Sequence, residues 1–215
     1  MKPYYEDTRS GITIYHGDCL DLLPSVAAAV LVTDPPYGLQ ALAGYYGRHY
    51  DTIRNDEDTS ARDSALALWG DRPACVFGSP RMPEPPGAWE HRLVWDKCEP
   101  GMNGGPWRYT HESIFVRGAG WLRRNDSAFS ILRVATGNWA AGRGVHPHRK
   151  PVALMEKLVS AAPDGVIVDA FCGSGSTLVA AKNMGRRAIG IEIEERYCEI
   201  AARRLAQEVL FPVAT

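Results

Sequence analysis

The sequence is organised around one stretch, Val30-Leu31-Val32-Thr33-Asp34-Pro35-Pro36-Tyr37-Gly38. Its first four residues are apolar or β-branched and predict a buried strand, which the acid, the two prolines and the glycine bring to an end. Proline has no N–H to donate and holds the residue before it in an extended conformation, so Asp34 projects from the strand end. The stretch therefore predicts a strand followed by a stiff loop that is rich in hydrogen-bond acceptors.

The chemistry of this loop suits an amino group attached to a planar ring. The Asp34 carboxylate and the Pro35 carbonyl can accept the two N–H bonds of the amine, Pro36 stiffens the loop, and Tyr37 offers a flat face on which the ring can stack. The alternative is an ordinary turn in which the two prolines only end the strand. The position of the tetrapeptide directly after a buried strand favours the functional interpretation.

A second stretch, Val166-Ile167-Val168-Asp169-Ala170-Phe171-Cys172-Gly173-Ser174-Gly175-Ser176-Thr177, predicts a strand, a glycine turn and the start of a helix. Glycines let the backbone approach a ligand closely, and Ser176 or Thr177 can cap the helix. The next predicted strand, Arg187–Glu192, ends in an acid 19 residues after Gly173, as does the strand that binds ribose in a βαβ nucleoside site. The third glycine of a dinucleotide fingerprint and the GK[ST] of a P-loop are both missing. The predicted ligand is therefore an adenosine without phosphates, and S-adenosylmethionine fits that description.

The remaining predicted elements continue an α/β pattern. Strands are predicted at residues 11–17, 74–78, 92–95 and 113–116, and helices at residues 18–23, 59–69, 148–162 and 176–184. Asp18 follows the first of these strands. It either contacts a ligand at the carboxyl edge of the sheet or caps the short helix, and the two roles are compatible.

Length and composition are those of an ordinary globular protein. With 215 residues, 45% of them hydrophobic and 23% charged, the chain can bury one good core, so a single domain is expected over residues 1–215. No apolar run approaches the length of a membrane span and the first residues do not resemble a signal peptide, so no membrane partner is expected. The five cysteines are scattered without CxxC spacing, which predicts reduced thiols in the cytoplasm. No His/Cys cluster has ligand spacing, so no metal is expected.

Basic residues are concentrated in one segment although the net charge of the chain is only −1. Between Arg117 and Lys150 there are seven basic residues and one acid, so this segment carries +6 and the rest of the chain −7. Such segregation creates a positive field that favours phosphate contacts, and the alternative is a solvated arginine-rich surface. The loop at residues 39–58 adds Tyr45 and Arg48, which either stack on bases and contact phosphates or pack the loop onto the core.

Together these pieces resemble the DNA amino-methyltransferases, which methylate the exocyclic nitrogen of adenine or cytosine. Asp34-Pro35-Pro36-Tyr37 resembles their catalytic loop, residues 169–175 resemble their cofactor loop, and Gly190-Ile191-Glu192 resembles their ribose-binding strand. Gly17-Asp18-Cys19-Leu20 is similar to the family's adenine-contacting turn, and residues 146–151 are similar to the opening of the helix before the cofactor strand. The catalytic loop comes before the cofactor loop, as in the permuted beta group of these enzymes.

The resemblance implies a Rossmann-like methyltransferase fold of the α/β class, with a mostly parallel, doubly wound sheet and a circularly permuted motif order. It implies S-adenosylmethionine as methyl donor, S-adenosylhomocysteine as product and DNA as partner, as in restriction–modification systems. The residues expected to bind the cofactor are Asp18, Cys19, Asp34, Lys150, Asp169, Phe171, Gly173, Ser174, Gly175, Ser176, Thr177 and Glu192. Those expected to contact DNA are Tyr45, Arg48, Arg123, Arg124, Arg133, Arg143, His148 and Arg149.

Two segments depart from the family pattern. The family commonly has two small polar residues where this chain has His148-Arg149. The resemblance therefore does not carry the family's contacts to the methionine end of the cofactor over to these two residues. The target-recognition domain is reduced to residues 118–147, which is too short for an independent domain. The target is therefore expected to be short and loosely read, or to be recognised by a partner specificity subunit, a homodimer mate or a mobile loop at residues 39–58.

The expected reaction is direct in-line methyl transfer to N6 of a flipped-out adenine in DNA. Asp34 and the Pro35 carbonyl would accept the two amine hydrogens, so that the nitrogen can pyramidalise and direct its lone pair at the methyl group. Cytosine-N4 enzymes of the family more often have Ser or Thr in place of Asp34, so the resemblance favours adenine. The alternatives are a cytosine-N4 DNA methyltransferase, an RNA adenine methyltransferase, a protein-amide methyltransferase, and a DNA-binding subunit without catalysis.

Overall fold

The structure is a computed structural model that describes residues 1–38, 57–98, 106–122, 129–136 and 149–207. The predicted mobile loop lies outside the described residues except for positions 57 and 58. Of the predicted recognition insert, residues 123–128 and 137–147 also lie outside them. The division of the chain into one domain, one loop and one insert stays a prediction.

Within the described residues, nine strands form one sheet, in the order β1-β2-β9-β8-β3-β4-β6-β5-β7. All neighbouring strands are parallel except at three pairings, β1 with β2 and β6 with both β4 and β5. The strands are β1 (Tyr5–Asp7), β2 (Ile12–His16), β3 (Val30–Thr33), β4 (Ala74–Gly78), β5 (His91–Asp96), β6 (His111–Arg117), β7 (Ile131–Arg133), β8 (Ile167–Asp169) and β9 (Ala188–Glu192). The predicted mostly parallel sheet is confirmed.

Helices cover both faces of this sheet. They are α1 (Cys19–Leu22), α2 (Ser60–Trp69), α3 (Val152–Ala161), α4 (Ser176–Asn183) and α5 (Glu195–Ala206), with a short 3₁₀ turn at Leu23–Ser25. Val30 and Val32 of β3 pack with α3, α4 and α5, whereas Leu31 packs with α1 and α2 on the other face. Side chains of a strand alternate between faces, so a short run of apolar residues serves two cores at once. The doubly wound arrangement is thereby confirmed.

The position of β3 beside β8 creates a crevice at the carboxyl edge of the sheet. From β8 the chain passes through α4 to β9, and from β3 it passes through α2 to β4, which lies in the opposite direction across the sheet. Open α/β sheets bind their ligands where the direction of the connections reverses in this way. The loops after β3 and β8 both open into this crevice.

Several elements differ from the predictions. The helix predicted from His148 begins only at Val152, because Pro151 has an extended backbone (φ −58°, ψ 133°) and disfavours helix in the residue before it. Strands β1 and β7 and helix α5 were not predicted, and β7 lies within the predicted recognition insert. In the described part of the chain, no helix combines the length and the apolar character that a membrane span requires.

Candidate active site

The two loops predicted to carry the function meet in the crevice between β3 and β8. The Thr33 hydroxyl at the end of β3 donates a hydrogen bond of 2.7 Å to Asp169 Oδ1 at the end of β8. Both side chains are buried, so this bond joins the two strand ends in the interior. The stretches that the sequence separates by more than 130 residues are therefore neighbours.

Five side chains form a hydrogen-bonded cluster around the catalytic loop. The Tyr37 hydroxyl donates to Asp34 Oδ1 at 2.6 Å and lies 3.2 Å from Glu112 Oε2. Lys150 Nζ lies 2.5 Å from Asp34 Oδ2, 3.1 Å from Glu112 Oε2 and 3.3 Å from the Tyr37 hydroxyl. Lys97 Nζ contacts the other oxygen, Glu112 Oε1, at 2.7 Å. We refer to Asp34, Tyr37, Lys97, Glu112 and Lys150 as the catalytic-loop cluster.

The charges in this cluster stabilise one another. Burial disfavours the ammonium of Lys150, but the carboxylates of Asp34 and Glu112 outweigh burial and raise its pKa. Burial acts to raise the pKa of Glu112, but the ammonium groups of Lys150 and Lys97 lower it to about 2. Burial and the two carboxylates raise the pKa of Tyr37 well above its usual value. The pKa shifts of Lys150 and Glu112 therefore both favour the charged forms of this ion pair, and the shift of Tyr37 favours its neutral form.

The position of Lys150 bears on one predicted role. We predicted that Lys150 binds the cofactor, and the structure places its ammonium against Asp34 and Tyr37 of the catalytic loop. The adjacent Arg149 is partly buried, and burial together with the positive charge of Arg149 lowers the pKa of Arg204. Arg204 Nη1 donates a hydrogen bond of 2.5 Å to the carbonyl of Ser174 in the cofactor loop. A cofactor contact by Lys150 stays a prediction.

The Asp169 carboxylate accepts hydrogen bonds from three groups of the protein itself. Its Oδ1 accepts the Thr33 hydroxyl and the backbone N–H of Phe171, and its Oδ2 accepts the Thr177 hydroxyl. The prediction that Ser176 or Thr177 caps α4 is wrong, because Gly175 is the N-cap in a left-handed conformation (φ 79°) and no side chain bonds there. Thr177 is instead committed to Asp169. Phe171 is half-buried and Ser176 is buried at the same turn.

The Asp169 carboxyl gives a stability prediction that depends on pH. Burial raises its pKa to about 6, from an ordinary value of 3.8, although the Thr177 and Thr33 hydroxyls oppose the shift. A carboxyl whose pKa is raised on folding stabilises the protein when protonated, so this stabilisation is present below about pH 4 and is lost as the pH rises through 6. In the Asp169→Asn variant the group cannot titrate. Chemical denaturation should show that the wild-type unfolding free energy falls relative to the variant by about 2 kcal/mol between pH 4 and pH 7. A difference that is constant with pH would contradict this account.

The predicted ribose-binding acid lies beside the glycine turn. Glu192 Oε2 accepts the backbone N–H of Gly173 at 2.8 Å, and its Oε1 accepts that of Glu194 at 2.8 Å. Burial raises the pKa of Glu192, although the two N–H donors act in the opposite direction. The backbone N–H of Gly17 donates to the Glu192 carbonyl, which brings the turn after β2 to the same site.

The turn after β2 contains the next two predicted cofactor residues. Asp18 Oδ1 accepts the backbone N–H of Leu20 at 2.9 Å, so Asp18 caps α1. Cys19 is buried, and burial raises its pKa to about 12. The structure thus brings Asp18, Cys19, Glu192 and the glycine turn to one edge of the sheet, and their contacts to a cofactor stay predictions.

The predicted DNA-binding residues are only partly described. Tyr45, Arg48, Arg123, Arg124, Arg143 and His148 lie outside the described residues. Arg133 is exposed at the end of β7 and lies 3.5 Å from Asp96. Two residues counted in the positive segment do not contribute to a surface: Lys150 is in the catalytic-loop cluster, and Arg117 is buried, donating to the Gly70 carbonyl and stacking 4.8 Å from the Trp89 ring. These two charges therefore take part in neither alternative considered for the positive segment, a field that favours phosphate contacts or a solvated arginine-rich surface, and phosphate contacts by the other five stay a prediction.

Sequence reasoning missed Glu112, Lys97, Thr33 and Arg204. One signal was available for Glu112. It lies near the start of β6, which is antiparallel to β4, and the start of such a strand lies at the same edge as the carboxyl ends of the parallel strands. Among the described residues, no three His, Cys, Asp or Glu side chains cluster as a metal site would require.

Comparison with known proteins agrees with this architecture. A family model described as DNA methylase matches residues 94–203. The Type II methyltransferase M.ScaI of Streptomyces caespitosus is 27% identical, and the match covers 96% of this chain and 84% of the relative.

Two solved structures share the fold. The cytosine-N4-specific PvuII DNA methyltransferase has a TM-score of 0.70 at 18% identity, with 98% of this chain and 91% of the other covered. The M1.HpyAVI–SAM complex has a TM-score of 0.60 at 23% identity, with 90% of this chain and 99% of the other covered. The described residues therefore fold as these methyltransferases do.

Proposed function

The chain belongs to the DNA methylase family, and from that premise we propose that it transfers the methyl group of S-adenosylmethionine to N6 of adenine in DNA. The observation that carries the proposal is the hydrogen bond from Thr33 to Asp169, because it fixes the catalytic loop against the cofactor loop. A methyl donor and a methyl acceptor held by these two loops would lie side by side.

The residues at the glycine turn fit an adenosine ligand. Among the described residues, and apart from Gly173 itself and its two chain neighbours, no atom lies within 4 Å of the place where a side chain at Gly173 would begin, so this part of the chain leaves space beside the turn. Within the described part of the chain, each Glu192 oxygen accepts one N–H donor, and a carboxylate can accept about four hydrogen bonds, so Glu192 has capacity for ribose hydroxyls. We infer that Glu192 binds the ribose and that Asp18 and Cys19 border the adenine. The relative M1.HpyAVI has been crystallised as a SAM complex, which supports this choice of donor.

Asp34 is suited to accept the hydrogens of the target amine. Its oxygens accept one donor each from Tyr37 and Lys150, and its side chain is 26% exposed, so acceptor capacity remains on the open side. S-adenosylmethionine, when bound, supplies an electrophilic methyl group on a sulfonium. Asp34 and the Pro35 carbonyl would orient the amine so that its lone pair, otherwise delocalised into the base, points at that methyl group. After transfer the nitrogen is cationic and loses one proton, which Asp34 can accept.

Adenine is favoured over cytosine by the carboxylate at position 34, since cytosine-N4 enzymes of the family more often have Ser or Thr there. The same amine geometry would serve cytosine N4, and the PvuII enzyme, which shares the fold, is cytosine-N4-specific. Cytosine N4 is therefore the second candidate target.

One experiment separates these targets. The purified protein is incubated with methyl-labelled S-adenosylmethionine and either unmethylated DNA or RNA, and the products are digested to nucleosides and identified by mass spectrometry. We expect labelled N6-methyldeoxyadenosine from DNA. Labelled N4-methyldeoxycytidine would show that the target is cytosine and not adenine. Label found only in RNA would show that the substrate is RNA and not DNA. No label in either nucleic acid would overturn the proposal.

A further inference from the structure

Glu112 is a buried acid for which the reaction outlined above needs no direct role. Its side chain is 12% exposed, and it contacts Lys150, Lys97 and the Tyr37 hydroxyl. An isolated carboxylate in such a position is costly, so its retention requires partners of opposite charge. Glu112 has two such partners, and one of them also contacts Asp34.

The donors of Lys150 are fully used within the cluster. An ammonium group has three N–H donors, and Lys150 has three acceptors within 3.3 Å, one each on Asp34, Glu112 and Tyr37. The rings of Phe77, Trp95 and Tyr37 lie with their centroids 4.9, 5.8 and 5.4 Å from Lys150 Nζ. Aromatic rings at these distances attract the cation and keep water away from it, so the charge is little screened.

We propose that Glu112 is a positioning residue for methyl transfer, which acts on Asp34 through Lys150. Glu112 takes part of the ammonium charge, so Lys150 is shared between two carboxylates and does not engage Asp34 alone. Asp34 thereby keeps enough electron density to accept the hydrogens of the target amine. Lys97 also contributes to this arrangement, because its ammonium balances the charge of the Glu112 carboxylate. This inference rests on the proposed function.

The test uses a neutral replacement of the same shape. In the Glu112→Gln variant the cluster gains a net charge of +1, and Lys150 has Asp34 as its sole carboxylate partner among the contacts described above. We expect kcat to fall about tenfold. The dissociation constant of S-adenosylmethionine, measured by calorimetry, and the KM for DNA should change less than about twofold.

A charge-balanced double variant separates the loss of the second carboxylate partner of Lys150 from the change in the net charge of the cluster. In Glu112→Gln/Lys97→Gln one carboxylate and one ammonium are removed together, so the cluster is neutral again while Lys150 still has Asp34 as its sole carboxylate partner among these contacts, and we expect kcat to stay about tenfold below wild type. The matched control is Glu84→Gln, which removes a carboxylate from an exposed ion pair with Arg92 outside the cluster, and it should leave kcat unchanged. Thermal denaturation confirms that each variant is folded. If Glu112→Gln does not fold, the inference is tested by comparing kcat of the double variant with kcat of wild type.

Three results would overturn the inference. A Glu112→Gln enzyme with wild-type kcat would show that Asp34 does not depend on Glu112. A folded double variant with wild-type kcat would show that the net charge of the cluster, and not the sharing of Lys150 between two carboxylates, sets the rate. A rise in the cofactor dissociation constant as large as the fall in kcat would place the effect in binding. If the wild-type protein transfers no methyl group, the proposed function fails and this inference fails with it, whereas an active wild type confines the failure to Glu112.

Discussion

Replacing Asp34 by alanine is expected to lower methyl transfer about 1000-fold while leaving the affinity for S-adenosylmethionine within about threefold of wild type. The carboxylate is the group that accepts an amine hydrogen, and without it the lone pair of the nitrogen stays delocalised. The cofactor loop should be little affected, because Thr33 and not Asp34 bonds to Asp169. Single-turnover transfer of labelled methyl to DNA measures the rate, and calorimetry measures cofactor binding.

A control of the same residue type distinguishes this effect from a general loss of negative charge. Asp21 is exposed in the first turn of α1, and Asp21→Ala should retain wild-type rates. Removing Asp34 also leaves Lys150 with one carboxylate fewer, so thermal denaturation must accompany the kinetics. Turnover at the wild-type rate in Asp34→Ala would refute the role assigned to Asp34. A joint loss of cofactor affinity and rate would instead place Asp34 in the cofactor site.

The parts of the fold that the sequence predicts are those in which local chemistry determines structure. The runs ending at Thr33, Asp169 and Glu192 are strands as predicted, because each is a short run in which valine or isoleucine recurs, and such β-branched residues favour strands. The parallel pairing of these strands follows from the helices between them. Their common carboxyl edge, and therefore the meeting of the two loops, could be predicted before any coordinates.

The elements that were missed differ in the strength of their local signals. Strands β1 and β7 have three residues each, too few for an alternating pattern to be visible. Helix α5 has charged residues at five of its twelve positions, and its buried residues are Cys198, Ala201 and Leu205. Their spacing of i, i+3 and i+7 is that of one helix face, so the sequence carried a signal for α5 that the predictions did not use.

Contacts between distant residues account for the rest. Lys150 bonds to Asp34 across 116 positions of sequence, and nothing near either residue indicates the other. Likewise, a count of charges along the chain does not tell which of them face inward. Arg117 lies over Trp89 because β6 turns it into the interior, and only the tertiary arrangement shows this. The chemical character of the catalytic loop was therefore predictable, whereas the pairing of Lys150 with Asp34 was not.

Replacing Glu192 by alanine is expected to weaken binding of S-adenosylmethionine on the order of 100-fold, because hydrogen bonds from the ribose hydroxyls to a buried carboxylate are charge-assisted. The same change removes the acceptor for the Gly173 N–H, so part of the loss comes from a less ordered glycine turn. At saturating cofactor, kcat should recover to within a few-fold of wild type, since Glu192 is remote from the amine. Calorimetric titration and the dependence of rate on cofactor concentration measure the two quantities.

The control for this prediction is Glu195→Ala, in the first turn of α5, where the side chain is exposed and neither oxygen is needed by the glycine turn. Its cofactor affinity should equal that of wild type. Because burial raises the pKa of Glu192, acidification should weaken cofactor binding in wild type and have little further effect in Glu192→Ala. The pH dependence of binding separates the two explanations better than the affinity at one pH, because disorder of the glycine turn alone would weaken cofactor binding equally at every pH. Unchanged affinity in Glu192→Ala, or an equal pH dependence in both proteins, would exclude Glu192 as the ribose-binding acid.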